Sequence, residues 1–437
     1  MKSKGRFGAL EKVFVVSALF LFSGGLLTLV RQMSGAISDP SQTDPVSQAV
    51  FLLVYGITAC LTVIWRKRFA HVVTRDGLLW LLIGIALLSV LWSAAPEVTL
   101  RRSIALIGTT LLGVYMAMRF DLREQLRLVA WALGTGALLS LLFALALPAY
   151  GVASVESLPS ESSEAAQGWR GVYQCKNCLG LPMALGALVF MLLGLSEHRY
   201  RWISWAGFSL SVILLLLSNS KTSLVVFTCV LLLLPLYRGL RWPYSIAVPF
   251  LISGVLLLGS AALWGLANEG TVLGLLNRDV TLTGRTDVWS AVLDMIWERP
   301  WLGYGYEAFW QGWEGPSAYV SIVVGFAPSH AHNGLLNLWL NLGLLGVVAF
   351  ALGFLRTSVR AVQWARLGKV GGVWPLAYLT YLLLYSVTEV TILTRNSITW
   401  VLYVTVVLSM SRNRAKPPRE STAPAYPNPK YQGRAAG

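Results

Sequence analysis

Twelve stretches of this chain contain no Asp, Glu, Lys, Arg or His and are long enough to matter to a bilayer. They run approximately over residues 13–30, 46–65, 77–95, 103–118, 128–148, 178–196, 202–217, 222–237, 244–266, 333–355, 373–388 and 397–411. A transmembrane helix needs about 20 mostly apolar residues to cross roughly 30 Å of hydrocarbon. The runs 202–217, 222–237 and 397–411 are short and read as tilted, re-entrant or extended by polar ends. Composition agrees, since only 13% of residues are charged and the mean hydropathy is +0.62, whereas a soluble domain carries about 25% charge. A chain this apolar does not stay disordered in water either. The expected fold class is therefore an all-α polytopic integral membrane protein with about twelve transmembrane helices. The basic start, Met1 to Lys12, leads into the first run with no small-residue cleavage site after it, so it reads as an uncleaved first span.

Orientation follows from Lys and Arg, which accumulate on the cytoplasmic side. With both ends inside and strict alternation, 25 of the 35 basic residues fall on cytoplasmic segments and 10 on outer ones, while 14 of the 20 acidic residues are outside. The net charge of +15 is then a topology signal, and a nucleic-acid partner, which would require a basic face on a soluble fold, is not implied. Residues 1–12 and the Pro-rich tail 412–437 are expected in the cytoplasm, the tail disordered.

Most loops are short, but residues 149–177 and 267–332 make outer segments of 29 and 66 positions, and loops of such length are usually functional or disordered. The first, with Glu156, Glu161 and Glu164 among serines, reads as a solvated lip. The second is rich in Trp, Tyr and Phe, and Val288, Trp289, Val292, Leu293 and Ile296 recur in it at helical spacing, so a folded cap is expected there. Ion- or proton-coupled carriers usually place ionisable groups at mid-membrane, and none of the twelve runs has one.

The ten outer cations run against the orientation rule and are candidates for function: Arg31, Arg101, Arg102, Arg170, Lys176, Lys221, Arg278, Arg285, Arg299 and Arg395. Several stand at outer span ends, where a ring of guanidinium and ammonium groups suits a diphosphate, Arg gripping it bidentately and Lys as a point charge. Cations snorkelling to lipid phosphates are the plainer alternative for any single position. Three motifs sharpen the set. Trp169 to Gly180, with Arg170, Lys176 and Asn177, leads into the sixth run; Ser218 to Ser223, around Lys221, is a polar island between two apolar runs; Thr283 to Trp289, around Arg285, opens the amphipathic stretch with Thr286 as a possible N-cap. A fourth, Ser329-His330-Ala331-His332-Asn333-Gly334, holds two of the four histidines, the side chain best suited to moving protons near neutral pH. His330-x-His332 lacks a Cys or carboxylate pair nearby to complete a metal site, so no metal and no cofactor are expected. Cys175-x-x-Cys178 reads as small apolar filler rather than a redox or disulfide pair.

These residues resemble the O-antigen ligase superfamily of O-antigen ligases, O-antigen polymerases and exopolysaccharide polymerases. The resemblance rests on His332-Asn333, nine residues, then Gly343-x-x-Gly346; on Lys176-Asn177-x-Leu179-Gly180; on Gly284-Arg285-Thr286; and on Pro300-Trp301-Leu302-Gly303-Tyr304-Gly305. Trp92-Ser93-Ala94-Ala95-Pro96-Glu97, Arg101-Arg102-Ser103 and Pro148-Ala149-Tyr150-Gly151 are similar to the exopolysaccharide-polymerase branch. Lys221 departs from the Arg of many relatives, and Cys175 from their common His.

The resemblance implies a membrane glycosyltransferase bundle, GT-C-like, with a large outer loop in a domain spanning 13–411 and a ligase-like core at 178–355. It would sit in the bacterial inner membrane with its site facing the periplasm. There it would transfer an oligosaccharide from undecaprenyl diphosphate to a glycan acceptor, either a growing lipid-linked polysaccharide or lipid A-core. His332 would be the base and Arg285 the second catalytic residue, with Arg102, Arg170, Lys176, Asn177, Lys221, His330 and Asn333 binding substrate. Polymerase is favoured over ligase by the N-terminal motifs. The competing expectations are a transporter or flippase of lipid-linked glycans and a catalytically silent assembly protein.

Overall fold

The structure, a computed structural model, describes residues 2–25, 45–153, 168–197, 200–243, 245–246, 285–366 and 372–411. All but two residues of the run at 244–266, the start of the 267–332 loop, the acidic lip, Arg31, Arg278 and the tail 412–437 lie outside the described residues. The described chain is helical almost throughout. Its main helices are α1 (Lys2–Phe22), α2 (Pro45–Ile64), α3 (Arg66–Val73), α4 (Gly77–Leu88), α5 (Pro96–Arg119), α6 (Leu122–Ala146), α7 (Lys176–Ser196), α8 (Arg201–Leu217), α9 (Lys221–Gly239), α10 (Arg285–Glu298), α11 (Gly334–Arg366), α12 (Trp374–Ser386) and α13 (Ile398–Met410). A two-residue antiparallel ladder, Val152–Ala153 on Gly168–Trp169, closes the base of the first long loop.

Each charge-free run among the described residues coincides with a helix, and five helices (α2, α6, α7, α9 and α11) are long and apolar enough to cross a bilayer. A sixth span is possible if α3 and the helical segment Gly77–Trp92, bent by 90°, act as one. α12 and α13, at 13 residues each, reach about 20 Å. The structure thus supports an all-α membrane protein, and the count of twelve stays an expectation.

α11 shows how the sequence distinguishes lipid from neighbour. Leu345, Val348, Leu352, Leu355 and Val359 are exposed at helical spacing, while Gly346, Ala349, Gly353 and Thr357 are buried on the other face. Without water to drive apolar surfaces together, small residues let helices approach closely while bulky ones meet lipid. α7 is buried almost all round and packs on α6, α8 and α9, with α13 against α5 and α12 against α9.

Polar side chains gather at the two ends of the bundle. At one end Glu11 of α1 accepts from Trp65, Tyr115 and Arg119, Arg127 pairs with Glu197 at 2.8 Å, and Asp76 takes Arg360 at 2.9 Å and Ser411. Gln125 donates to Ser409 and joins these groups. The beginnings of α1, α4 and α6 and the ends of α2, α5, α7, α11 and α13 therefore share one level, as strict alternation requires. His330, His332, Arg102, Arg285 and Arg395 lie at the other end.

That histidine end is built on close backbone contacts. α11 breaks at Gly343 (φ 65°, ψ −170°), where a Cβ would stand 2.1 Å from the carbonyl oxygen of Trp301. The freed groups pair with the Pro300–Gly305 segment: Leu344 N–H donates to Pro300 O, Tyr304 N–H to Leu340 O and Gly305 N–H to Asn341 O. Trp92 then donates to Leu302 O, Ala94 N–H to Tyr304 O and Tyr306 N–H to Ser89. Three segments distant in sequence, 89–99, 300–306 and 339–344, form one interlocked floor, which explains the glycines in two of the sequence motifs.

Candidate active site

Glu389, three residues past the end of α12, is the hub of the site. Its Oε1 receives Arg285 Nη2 at 3.2 Å and Asn177 Nδ2 at 3.3 Å, and its Oε2 stands 3.7 Å from His332 Nδ1. Arg285 also donates to Thr388 O. The Asn177 carbonyl accepts from Ser220 at 2.8 Å, Ser220 pairs with Ser223 at 2.7 Å, and Ser223 makes a short hydrogen bond to the Tyr385 hydroxyl. The start of α7, the start of α9, the start of α10, the loop before α11 and the loop after α12 thus meet through one polar chain. Gly180 makes this possible, since a Cβ there would clash with Ser223 and Ser220.

Burial disfavours ionisation of Glu389, but His332, Arg285 and His330 beside it outweigh that cost and hold its carboxyl below the usual carboxylate range. It is a carboxylate at neutral pH. His332 has left-handed backbone (φ 49°), its N–H donating to His330 Nδ1 at 3.2 Å, with the two rings edge-on at a 4.1 Å centroid distance. Desolvation of His330, with His332 next to it, pushes its pKa down to about 4, so that ring is neutral. His332 Nδ1 is buried without a hydrogen-bond partner, because 3.7 Å exceeds hydrogen-bond length. The ring stands one small movement short of a carboxylate–histidine contact. Asn219, Glu307, Leu393 and Asn396 also have positive φ; all occupy loops at this end, and such strain gathers where function over-determines the backbone.

Of the residues singled out in the sequence, His332, Arg285, Asn177 and His330 meet here. Lys176 and Lys221 adjoin Asn177 and Ser220 in the chain, which sets their Cα atoms about 3.8 Å from residues of the cluster. Asn177 has both polar ends of its amide engaged inside the protein, so it bridges elements rather than presenting itself to a substrate. The Asn333 carbonyl accepts from Leu335 N–H and Leu336 N–H and caps α11, which accounts for it without a substrate. Arg102 bonds the Glu307 backbone carbonyl and lies 3.8 Å from its carboxylate, which Arg395 grips at 2.8 Å; these cations clamp the cap instead of ringing an anion. Arg170 donates to Tyr150 O at the loop base. Arg285 and Thr286 are both helical, so Thr286 lies inside α10 rather than at its cap. Cys175 and Cys178 form a disulfide, not apolar filler.

His330, His332 and Glu389 each offer one ligand atom, all within 4.8 Å of one another. A divalent cation fits such a trio, but Arg285 on the same carboxylate sets a full positive charge against it. Glu389 escaped sequence reasoning. Its only signal is position, a lone acid with Arg395 between two apolar runs.

Residues 206–351, from α8 to the middle of α11, match the family described as O-antigen ligase. The segment contains Lys221, Arg285 and both site histidines; Asn177 and Glu389 lie outside it. The chain is also 27% identical over 328 residues to the exopolysaccharide production protein ExoQ of Rhizobium meliloti (strain 1021), covering 70% of this chain and 69% of that one. The chain is thus similar to the O-antigen ligase family over residues 206–351 and to an exopolysaccharide production protein over most of its length.

Proposed function

We propose that this protein transfers an oligosaccharide from undecaprenyl diphosphate to a glycan acceptor at the periplasmic face of the bacterial inner membrane, as a polymerase of exopolysaccharide type. The observation that carries the reading is His332, its Nδ1 turned to the Glu389 carboxylate beside Arg285 at the ends of five elements. Both chain ends then face the cytoplasm. A disulfide beside the site supports exposure to an oxidising compartment, and the resemblance to an exopolysaccharide production protein supports polymerase over ligase.

In this reading Glu389 favours the tautomer with hydrogen on His332 Nδ1, which leaves the Nε2 lone pair to take the proton of the acceptor hydroxyl. The acceptor oxygen bonds to the anomeric carbon as the bond to the diphosphate oxygen breaks. Charge grows on the departing lipid diphosphate, and Arg285 meets it with the guanidinium donors that Glu389 and Thr388 do not occupy, assisted by Lys176 and Lys221. The imidazolium is stabilised by Glu389. Aromatic faces of the cap supply surfaces for sugar rings.

The test is turnover of a purified lipid-linked oligosaccharide by protein in nanodiscs. His332→Ala should lose about 10²–10⁴ in rate yet still bind the donor, while His330→Ala keeps most of its activity. Near-normal turnover by His332→Ala refutes the assignment.

A further inference from the structure

The disulfide Cys175–Cys178 closes the first turn of α7 around Lys176 and Asn177. Cys175 is the N-cap, its Sγ accepting the Cys178 N–H at 3.1 Å. Asn177, enclosed by that ring, joins Glu389 to Ser220. The loop side of the pair is open, since Gln174 and Cys175 are exposed, whereas Leu179 and Gly180 are buried. One covalent link that a reagent can reach thus fixes the backbone of the residue holding the hub carboxylate.

We propose that Cys175–Cys178 is a thiol–disulfide exchange site that positions Asn177, and through it Glu389, so that cleavage by a dithiol lowers catalysis; the catalytic part of this rests on the function proposed above. A dithiol thiolate attacks the Sγ of Cys175, the exposed residue of the pair. The Cys175–Cys178 bond breaks, a mixed disulfide forms on Cys175, and Cys178 leaves as a thiolate at a helix N-terminus, which favours the anion. The second thiolate of the reagent attacks its own sulfur in the mixed disulfide and releases Cys175. Two electrons and two protons pass from the dithiol to the cysteines, and the reagent ends as a cyclic disulfide. Freed of the link, the first turn of α7 frays, and Asn177 no longer holds Glu389 and Ser220 in register.

The experiment uses full-length protein carrying Cys60→Ser and Cys229→Ser, which leaves the pair as the only cysteines. Samples in nanodiscs, with and without dithiothreitol, are alkylated with a maleimide and weighed by mass spectrometry. Turnover of lipid-linked oligosaccharide and hydrogen–deuterium exchange of residues 387–397 are then measured. We expect no alkylation before reduction and two adducts after it, faster exchange at 387–397, and kcat reduced about tenfold, as for loss of one hydrogen bond to a charged group. Reoxidation restores both, and Cys175→Ser/Cys178→Ser behaves as the reduced protein and ignores the dithiol. Alkylation without reductant, or reduction that changes neither exchange nor turnover, overturns the proposal. Reduction that accelerates exchange at 387–397 in a protein with no transferase activity sustains the positioning role and refutes the function instead.

Discussion

Replacing Glu389 with Gln keeps the shape of the hub and removes its charge. In the proposed reaction the charge matters most when His332 becomes an imidazolium, 3.7 Å away. Two unit charges at that separation attract by roughly 4–5 kcal/mol at an effective dielectric of about 20. One third of the His332 side chain is reached by water, and halving the attraction for that screening leaves about 2 kcal/mol. The expected loss in kcat therefore lies between about 30-fold, with screening, and about 2,000-fold, without it. Donor affinity should change little, because Arg285 keeps its charge and its contact with Thr388 O. The assay is single-turnover transfer from a lipid-linked oligosaccharide, with donor binding measured separately. The decisive comparison is a double-mutant cycle, since Glu389→Gln should cost almost nothing in a His332→Ala background if the carboxylate acts through the histidine. A Glu389→Gln enzyme with a third or more of normal turnover, or an undiminished effect without the histidine, would refute the reasoning.

Glu307→Ala should destabilise rather than inactivate, costing about 3–5 kcal/mol because it leaves Arg102 and Arg395 partly buried without their carboxylate; the fraction that folds should turn over normally, as thermal stability and specific activity together report. Gly343→Ala should cost about 3 kcal/mol or more, since the new methyl meets the Trp301 carbonyl at a backbone conformation suited only to glycine; a monodisperse variant with unchanged melting temperature would contradict the interlocked floor. His330 sets a pH dependence of known sign. Its pKa near 4 in the folded protein lies below the unfolded value of about 6.5, so its effect is absent above pH 6.5 and stability is lost as pH falls from there towards 4. The melting temperature of His330→Gln should accordingly fall less between pH 7 and pH 5 than that of the natural protein.

The helices were legible because absence of charge over twenty residues has one physical outcome in a chain this apolar. Residues 178–196 fall within α7 and residues 397–411 nearly coincide with α13. Boundaries failed where a helix continues out of the apolar zone, as α11 does to Arg366, since a run of uncharged residues ends where water begins rather than where hydrogen bonding stops. Asn333 stands directly before an apolar run, the position of an N-cap; its motif membership drew it into the substrate set. Arg102 looked like an anion ligand because its carboxylate lies 205 residues away, a distance across which one sequence carries no pairing signal. Glu389 carries no pairing signal in the sequence for a related reason. An outer cation stands out because it violates the positive-inside rule, whereas an outer acid violates nothing.

Glu307 and Glu389 make the same kind of contact with opposite consequences. Each gathers loops at the histidine end, and each has Arg for a partner. Glu307 is held by Arg102 and Arg395, both at its Oε2, so its charge is answered twice, and the result is a clamp between the cap and the helices. Glu389 pairs with Arg285 through one oxygen, and its other oxygen faces a histidine nitrogen that lacks a hydrogen bond. Such an unsatisfied buried atom costs folding free energy, and the loop carries a left-handed backbone at His332 besides. A fold selected only for stability would close the 3.7 Å gap or replace the ring. Retaining it is reasonable where the contact is to tighten when His332 takes up a proton, which ties the strain at this end of the bundle to the proton transfer proposed for it.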